Sequence, residues 1–357
     1  MVNESWRARR LDAHGLAAPV EAEADYVELF RRLQPVAPGA NSYPGSPPRL
    51  EYRVGGPDGD DTRLADELRA THKLIKGRYF GGRVSYVWVE DLALYRSACQ
   101  RPMNTINDRH AAVLRAFEVS GPLSPRQLRE QTGMAYRPLM AAVNRLEEAF
   151  LVCEDQTDDA WDRPLHLFER EWPQAYAAKQ DRLEAREEVL RRWAAVNVWV
   201  SVEGAAATTG WPKRELAKLL GNLCEEGRLR PVDAVQADMG AQYLVEPQCL
   251  AGPDGEEIPP VPRAVRVLHR DDPFVRPLLP MLKARYEKRE VLKYLLIDDD
   301  VSGAVCGHWR ISPHDVEDIL VDDEETARDR REDVLTVVTA SYPPPERQIL
   351  HYNGEPI

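Results

Sequence analysis

The hydrophobic positions in the N-terminal part of the chain repeat with a helical spacing in three segments. Ser5–Leu16 is the first predicted helix, with Gly15 at its C-terminal end. Glu21–Leu33 and Asp61–Ile75 are the second and third. Between the last two, the many prolines and glycines of residues 34–61 predict a long loop without regular structure. Loops of this length are usually functional or mobile.

A strand and a turn follow the third predicted helix. Arg83–Val89 alternates in polarity and is rich in β-branched and aromatic residues, which predicts a strand. Gly81 and Gly82 directly before it predict a tight hairpin turn. A helix that runs into a hairpin and then into another helix is how a winged-helix unit ends.

A second unit has clearer boundaries. Asp108–Glu118 is a predicted helix, and the next helix has Ser124 as its N-cap with Pro125 at its first position. Gly133 ends that helix, and residues 135–152 predict a third helix that leads into a strand. This spacing is typical of a helix-turn-helix, in which the third helix is the recognition element.

A third unit repeats the order of the second without close sequence identity. Its first helix is predicted to end near Asn197, and Val202–Thr208 forms the next helical turn. Trp211 and Pro212 open the recognition-type helix, and Gly227 closes it before a wing strand.

The C-terminal part of the chain predicts a mixed unit after a Pro/Gly-rich linker at 245–262. A helix is expected at 279–290, and two strands at 292–298 and 302–311 flank an acidic turn. Residues 312–321 are predicted to form a helix capped by Ser312. One more helix and a loose tail complete the chain.

The predicted fold class is therefore mainly α with small β-hairpins, an α+β protein of tandem winged-helix domains with a C-terminal β-containing unit. The expected boundaries are 1–103, 104–170 and 171–245 for the three winged helices and 246–357 for the C-terminal unit.

Composition narrows the class of protein. With 43% hydrophobic and 30% charged residues the chain is expected to fold, and no run of about 18 apolar residues predicts a membrane span. The N-terminus lacks the apolar core of a secretory signal. Five scattered cysteines, an odd number, favour free thiols in a reducing cytoplasm.

Charge is distributed unevenly along the chain. The net charge of -12 disfavours a nucleic-acid partner when it is taken alone. However, residues 63–115 contain ten Lys/Arg against five Asp/Glu, whereas residues 290–333 contain fourteen acids against five bases. The N-terminal third can therefore face phosphates, although a solvated surface would show the same pattern.

Candidate contacts to double-stranded DNA lie at three places, each of which also fits an ordinary solvated surface. They are Lys76, Arg78 and Arg83 on the first wing, Arg137, Lys213 and Arg214 at the starts of recognition helices, and His308, Trp309 and Arg310 in the C-terminal hairpin. The acids and histidine at 314–318 have no recognised metal-ligand spacing. No metal or other cofactor is expected.

Three segments resemble one known family, the AlkZ/YcaQ-type winged-helix DNA glycosylases. They are ARRLDAHGL at 8–16, HKLIKGRYFGGRVSYVWVEDLALY at 72–95 and the hairpin LLIDDDVSGAVCGHWRI at 295–311. Each match is short, and their order and spacing together extend the resemblance over most of residues 5–320.

The resemblance implies a set of functional expectations. Tandem winged helices would wrap around duplex DNA and excise alkylated purines such as N7-alkylguanine, including crosslinked ones. In the family a pair of glutamines orients the attacking water, and Gln34 matches the first of them. The second position is Val36, which cannot hydrogen-bond water, and Asn41 in the following loop is a possible substitute.

Two alternatives to a glycosylase remain open from the sequence. One is a non-catalytic DNA-binding protein or damage sensor built from the same modules, which Val36 favours. The other is a transcriptional regulator with a ligand-sensing C-terminal unit. A monomer is expected, because tandem modules in one chain do not need the dimer that palindrome readers use.

Overall fold

The computed structural model describes residues 4–39, 45–55, 61–154, 162–232, 242–249, 260–308, 315–343 and 347–357. Its helices are α1 (Glu4–Ala13), α2 (Glu23–Leu33), α3 (Thr62–Ala70), α4 (Leu92–Cys99), α5 (Asp108–Ser120), α6 (Pro125–Thr132), α7 (Tyr136–Glu148), α8 (Phe168–Glu171), α9 (Pro173–Ala177), α10 (Arg182–Asn197), α11 (Val202–Thr209), α12 (Lys213–Glu225), α13 (Leu279–Arg285), α14 (Glu324–Asp329) and α15 (Arg331–Ser341). Its strands are β1 (Leu74–Arg78), β2 (Val84–Trp88), β3 (Val152–Glu154), β4 (Leu165–Leu167), β5 (Trp199–Ser201), β6 (Leu229–Val232), β7 (Gln242–Val245), β8 (Val265–Leu268), β9 (Val291–Ile297), β10 (Asp300–Gly307), β11 (Val316–Val321), β12 (His351–Tyr352) and β13 (Glu355–Pro356). The protein is thus of the α+β class, as predicted.

The first hairpin begins earlier than the sequence suggested. The helix predicted to reach Ile75 ends at Ala70, and His72 has a positive φ of 56°. Leu74 and Ile75 then belong to β1, where Leu74 lies opposite Trp88 in an antiparallel pair with β2. Both side chains are buried, so packing against the hairpin partner outweighs the helical spacing of this segment.

The second unit has the local structure that its sequence signals predict. Ser124 and Gln127 form a capping box with Pro125 at the first position of α6, and Gly133 ends this helix in the left-handed conformation. Helices α5–α7 enclose their own apolar core, and β3 and β4 form an antiparallel wing beside them. The order of elements is winged-helix-like.

The third unit shares its core with the first. Strands β5, β7 and β6 form an antiparallel sheet in that spatial order beside α10, α11 and α12. The apolar side chains of these helices lie in one cluster with Ile75, Tyr79 and Phe80 of the first hairpin. Because one core joins the two units, the hairpin and α11 are held at a fixed distance.

The C-terminal unit is built on a six-stranded sheet in the order β13-β12-β11-β10-β9-β8. Apolar side chains cover both faces of the sheet, with α13 on one side and α15 on the other, which explains the nearly continuous apolar run of β9. The helix predicted over 312–321 is wrong in its described part, because residues 316–321 form β11 and pair with β10. Ser312 lies outside the described residues.

Helix α1 packs against the C-terminal unit at the far end of the sequence. Leu11 and Leu16 are fully buried in the same cluster as Phe274 and Leu282. The domain boundaries drawn from the sequence stay a prediction, and this packing ties the first residues of the chain to the last unit. Within the described ranges, no helix is both long and apolar enough to cross a membrane.

Candidate nucleic-acid interface and active site

A cleft of about 520 Å³ opens where the first, third and C-terminal units meet. Four segments of the chain form it: the end of α2 with the residues after it, the turn of the first hairpin, the end of α10 with α11, and the segment 270–283. The lining residues are His14, Arg32, Leu33, Gln34, Pro35, Ala37, Phe80, Arg83, Val84, Ser85, Trp193, Val196, Asn197, Thr208, Arg270, Asp271, Pro273, Arg276, Leu279 and Lys283. One chain therefore supplies every wall of the cleft.

The cleft is strongly cationic although the whole chain carries a net charge of -12. Its permanent cations are Arg32, Arg83, Arg270, Arg276 and Lys283. Asp271 is the only carboxylate among the described residues of the lining, and it is already ion-paired with Arg276. An excess of positive charge in a concave surface attracts the phosphates of nucleic acid.

The cations of the cleft differ in how far the protein already uses them. Arg83 donates to the backbone oxygen of Thr208 across the cleft. Burial and the nearby Arg276 lower the pKa of Arg83 to about 10, while Asp271 acts in the opposite direction, so the guanidinium stays charged at neutral pH. Arg32 and Lys283 form no ion pair within the described part of the chain. Those two side chains remain available to a phosphate.

The Gln34 side chain is fixed at the C-terminal end of α2. Its Nε2 donates to the Asp91 carboxylate at 2.8 Å and to the Arg31 carbonyl at 3.0 Å, so both amide hydrogens are used. Its Oε1 accepts from the Trp88 backbone N–H at 2.7 Å. With 5% of its surface exposed, Gln34 borders the cleft but has only one acceptor lone pair left for a water molecule.

Val36 faces away from the cleft. It is fully buried in the apolar core of the first unit, and its backbone exchanges two hydrogen bonds with Tyr86. A side chain at this position cannot reach the cleft while this pairing holds. Asn41, the predicted substitute, lies outside the described residues.

His14 is a cleft residue that the sequence analysis did not single out. It follows α1, is only 1% exposed, and packs edge-on against Phe274 with ring centroids 5.1 Å apart. Neither ring nitrogen has a hydrogen-bond partner of normal geometry among the described residues. The only signal in the sequence is its place just before Gly15 at the end of a helix, which does not distinguish it from other histidines.

The comparisons with known proteins agree with this architecture. The sequence profile of the family DNA glycosylase AlkZ-like matches residues 49–340, which is most of the chain. The chain belongs to the AlkZ-like DNA glycosylase family. Positions 34 and 36 lie before the matched segment.

A solved structure extends the AlkZ-like similarity to the whole fold. The Streptomyces sahachiroi DNA glycosylase AlkZ superposes with a TM-score of 0.65 at 14% sequence identity, covering 99% of this chain and 100% of the other. At this identity the similarity shows the fold. No curated protein sequence matches the chain significantly.

Two of the predicted DNA contacts in this AlkZ-like chain have internal partners. Lys76 is 8% exposed and bonds Glu154 at 3.0 Å, and burial and neighbouring arginines lower its pKa to about 7. Arg78 is paired with Glu147 at 2.7 Å. These pairs join the first hairpin to the second unit, so phosphates would have to compete for both cations. Their role in DNA binding stays a prediction.

The other predicted contacts lie away from the cleft lining. Arg137 and Arg214 are exposed near the N-terminal ends of α7 and α12, and Lys213 is 65% exposed beside Glu203. His308 lies between two carboxylates, 3.1 Å from Glu290 and 2.8 Å from Glu317. Trp309 and Arg310 lie outside the described residues. Of the nine predicted DNA contacts, Arg83 alone borders the cleft.

Proposed function

We propose that this chain is a DNA glycosylase that excises alkylated purines, with N7-alkylguanine as the representative base, from double-stranded DNA. The observation that carries the proposal is the cationic cleft, which in an AlkZ-like fold lies beside Gln34 and has five permanent cations against one carboxylate in its lining. The solved relative with this fold is named a DNA glycosylase.

The chemistry of the substrate fits such a cleft. N7-alkylation makes guanine cationic, so the base leaves as a neutral molecule once its bond to the sugar breaks. The enzyme then has to hold the phosphates, place the damaged nucleotide and position one water molecule. Arg32 and Lys283 can contact phosphates, while Phe80 and Trp193 offer apolar surface to an unstacked base.

Release of the base tests the proposal directly. The purified chain is incubated with a duplex that contains one N7-methylguanine, and free base and alkali-labile sites are measured under single-turnover conditions. We expect release by the wild type and a loss of at least about tenfold in Arg32→Glu, because charge reversal repels the phosphate backbone. Arg63→Glu, at an 81% exposed arginine outside the cleft, is the matched control and should retain wild-type release.

A non-catalytic DNA-binding protein is the second candidate, and the surroundings of positions 34 and 36 favour it. The donors of Gln34 are already used and Val36 points into the core, so the pair of glutamines that the family resemblance implied cannot operate here. This candidate predicts tight, salt-dependent binding to damaged duplex without any release of base. Binding without release at every alkylated purine tested would establish it over the glycosylase.

We also propose that the protein acts as a monomer in the cytoplasm. All cleft walls come from one chain, so no second copy is needed to complete the site. The five cysteines are free thiols, which suits a reducing compartment.

A further inference from the structure

We propose that His14 is the residue that holds the attacking water in the cleft, an inference that rests on the proposed glycosylase function. The position that would hold this water by resemblance to the family is occupied by Val36, whose side chain lies in the core. The water therefore needs another polar group on the cleft wall, and His14 is the buried lining residue whose hydrogen-bonding atoms are unused within the described structure.

Three separate parts of the chain converge on His14 and fix its ring. Its carbonyl accepts a hydrogen bond of 2.8 Å from Nε of the fully buried Arg53. Phe274 packs against the ring edge-on, and its carbonyl is held by Arg10 at 2.5 Å. Arg10 also reaches the side chain of Asn197, another lining residue, at 3.5 Å. The backbone and one ring face are thus fixed while both ring nitrogens stay open.

A buried imidazole with two unused nitrogens is unfavourable unless something occupies them. Leaving a buried polar atom without a partner costs about 1–3 kcal/mol. The side of His14 that faces the cleft is the place where water or substrate can satisfy it. The neutral ring has one nitrogen that accepts and one that donates, so it can bind a water molecule and a second polar group together.

The charges around His14 keep the ring neutral. Its pKa lies well below 6.5, first because of burial and then because Arg10 on α1, Arg53 and Arg32 on α2 repel a further positive charge, while the Asn197 side chain acts in the opposite direction. A neutral ring at pH 7 retains the lone pair that orients water.

The proposed step balances as follows. The bond from guanine N9 to the sugar C1′ breaks, and its electron pair neutralises the positive charge of the N7-alkylated base. The water oxygen forms a new bond to C1′. The unprotonated ring nitrogen of His14 accepts one proton from this water and later gives it to solvent. The products are the neutral base, an abasic site and one proton.

The test compares two substitutions that differ in hydrogen-bonding capacity. His14→Leu removes both nitrogens, and His14→Gln restores an acceptor and a donor. We expect single-turnover release to fall at least about 100-fold in His14→Leu. His14→Gln should stay within about tenfold of the wild type, and duplex affinity should change less than about threefold in both. Circular dichroism melting checks that each variant folds.

The pH profile of the wild type gives a readout that does not depend on a variant. The rate should be constant at and above pH 6.5 and decline only at lower pH, as His14 becomes protonated, after subtraction of spontaneous depurination. His14→Gln should lack this decline. Wild-type release in His14→Leu, equal loss in both variants, or a wild-type rate that does not decline in acid would overturn the role of His14. An inactive wild type would overturn the glycosylase proposal and this inference together.

Discussion

The ion pair between Arg53 and Asp272 joins parts of the chain that are 219 residues apart, and removing it should have a large effect. Arg53 is fully buried and donates two hydrogen bonds to the Asp272 carboxylate, at 2.8 and 2.9 Å. It also bonds the carbonyl of His14, so the pair fixes the end of α1 against the C-terminal unit. Arg53→Met removes one partner and leaves a buried carboxylate without its counter-ion.

The size of the effect follows from burial. Removing one partner of a buried ion pair destabilises by about 3–5 kcal/mol, whereas replacing both partners by apolar side chains is often close to neutral. The double variant with Asp272→Leu still leaves the His14 carbonyl and the Phe274 N–H without their bonds, at about 1–3 kcal/mol each. We therefore expect the two single losses to exceed the double loss, when summed, by at least about 2 kcal/mol.

Urea unfolding followed by circular dichroism measures all four corners of this cycle. The m-value should be unchanged, because the fold and the surface exposed on unfolding stay the same. A loss below about 1 kcal/mol in Arg53→Met, or strictly additive losses, would refute the idea that this pair fastens α1 to the C-terminal unit.

Three further predictions concern the cleft and the core. Arg32→Ala and Lys283→Ala should each reduce the slope of log affinity against log salt by about 0.9, measured by fluorescence anisotropy with undamaged duplex, with Arg63→Ala as the unchanged control. Ser124→Ala should lower the free energy of unfolding by about 1 kcal/mol, because it removes the capping box of α6, and an unchanged urea midpoint would contradict this. Val36→Gln should lower stability by about 1–3 kcal/mol without raising base release, because its amide enters an apolar core, and a gain in release would contradict the orientation of Val36.

Local signals in the sequence predicted local structure well. Ser124, Pro125 and Gly133 mark the two ends of α6 as the structure has them, because caps depend on residues within one helical turn. The same local logic failed for residues 316–321, where an N-cap signal indicated a helix. Ile319 of that segment lies opposite Val305 of β10, so a strand partner outside the segment determines its conformation.

The candidate site was only partly predictable, because its walls come from distant parts of the chain. The family resemblance indicated Gln34, which borders the cleft, but the three bonds that use its amide come from Arg31, Trp88 and Asp91. Lys76 appeared from the sequence to be a phosphate contact on a wing. Its partner Glu154 is 78 positions away and has no signature that links it to Lys76. Charge counts alone cannot distinguish such an internal pair from a free surface cation.

Hydrogen–deuterium exchange with a duplex that contains a stable abasic-site analogue tests most directly whether the cleft is the DNA-binding site. The account predicts protection in peptides that cover 32–37, 80–85 and 270–283, and loss of that protection in Arg32→Glu. Protection confined to the N-terminal ends of α7 and α12, with the cleft peptides exchanging as in the free protein, would contradict it.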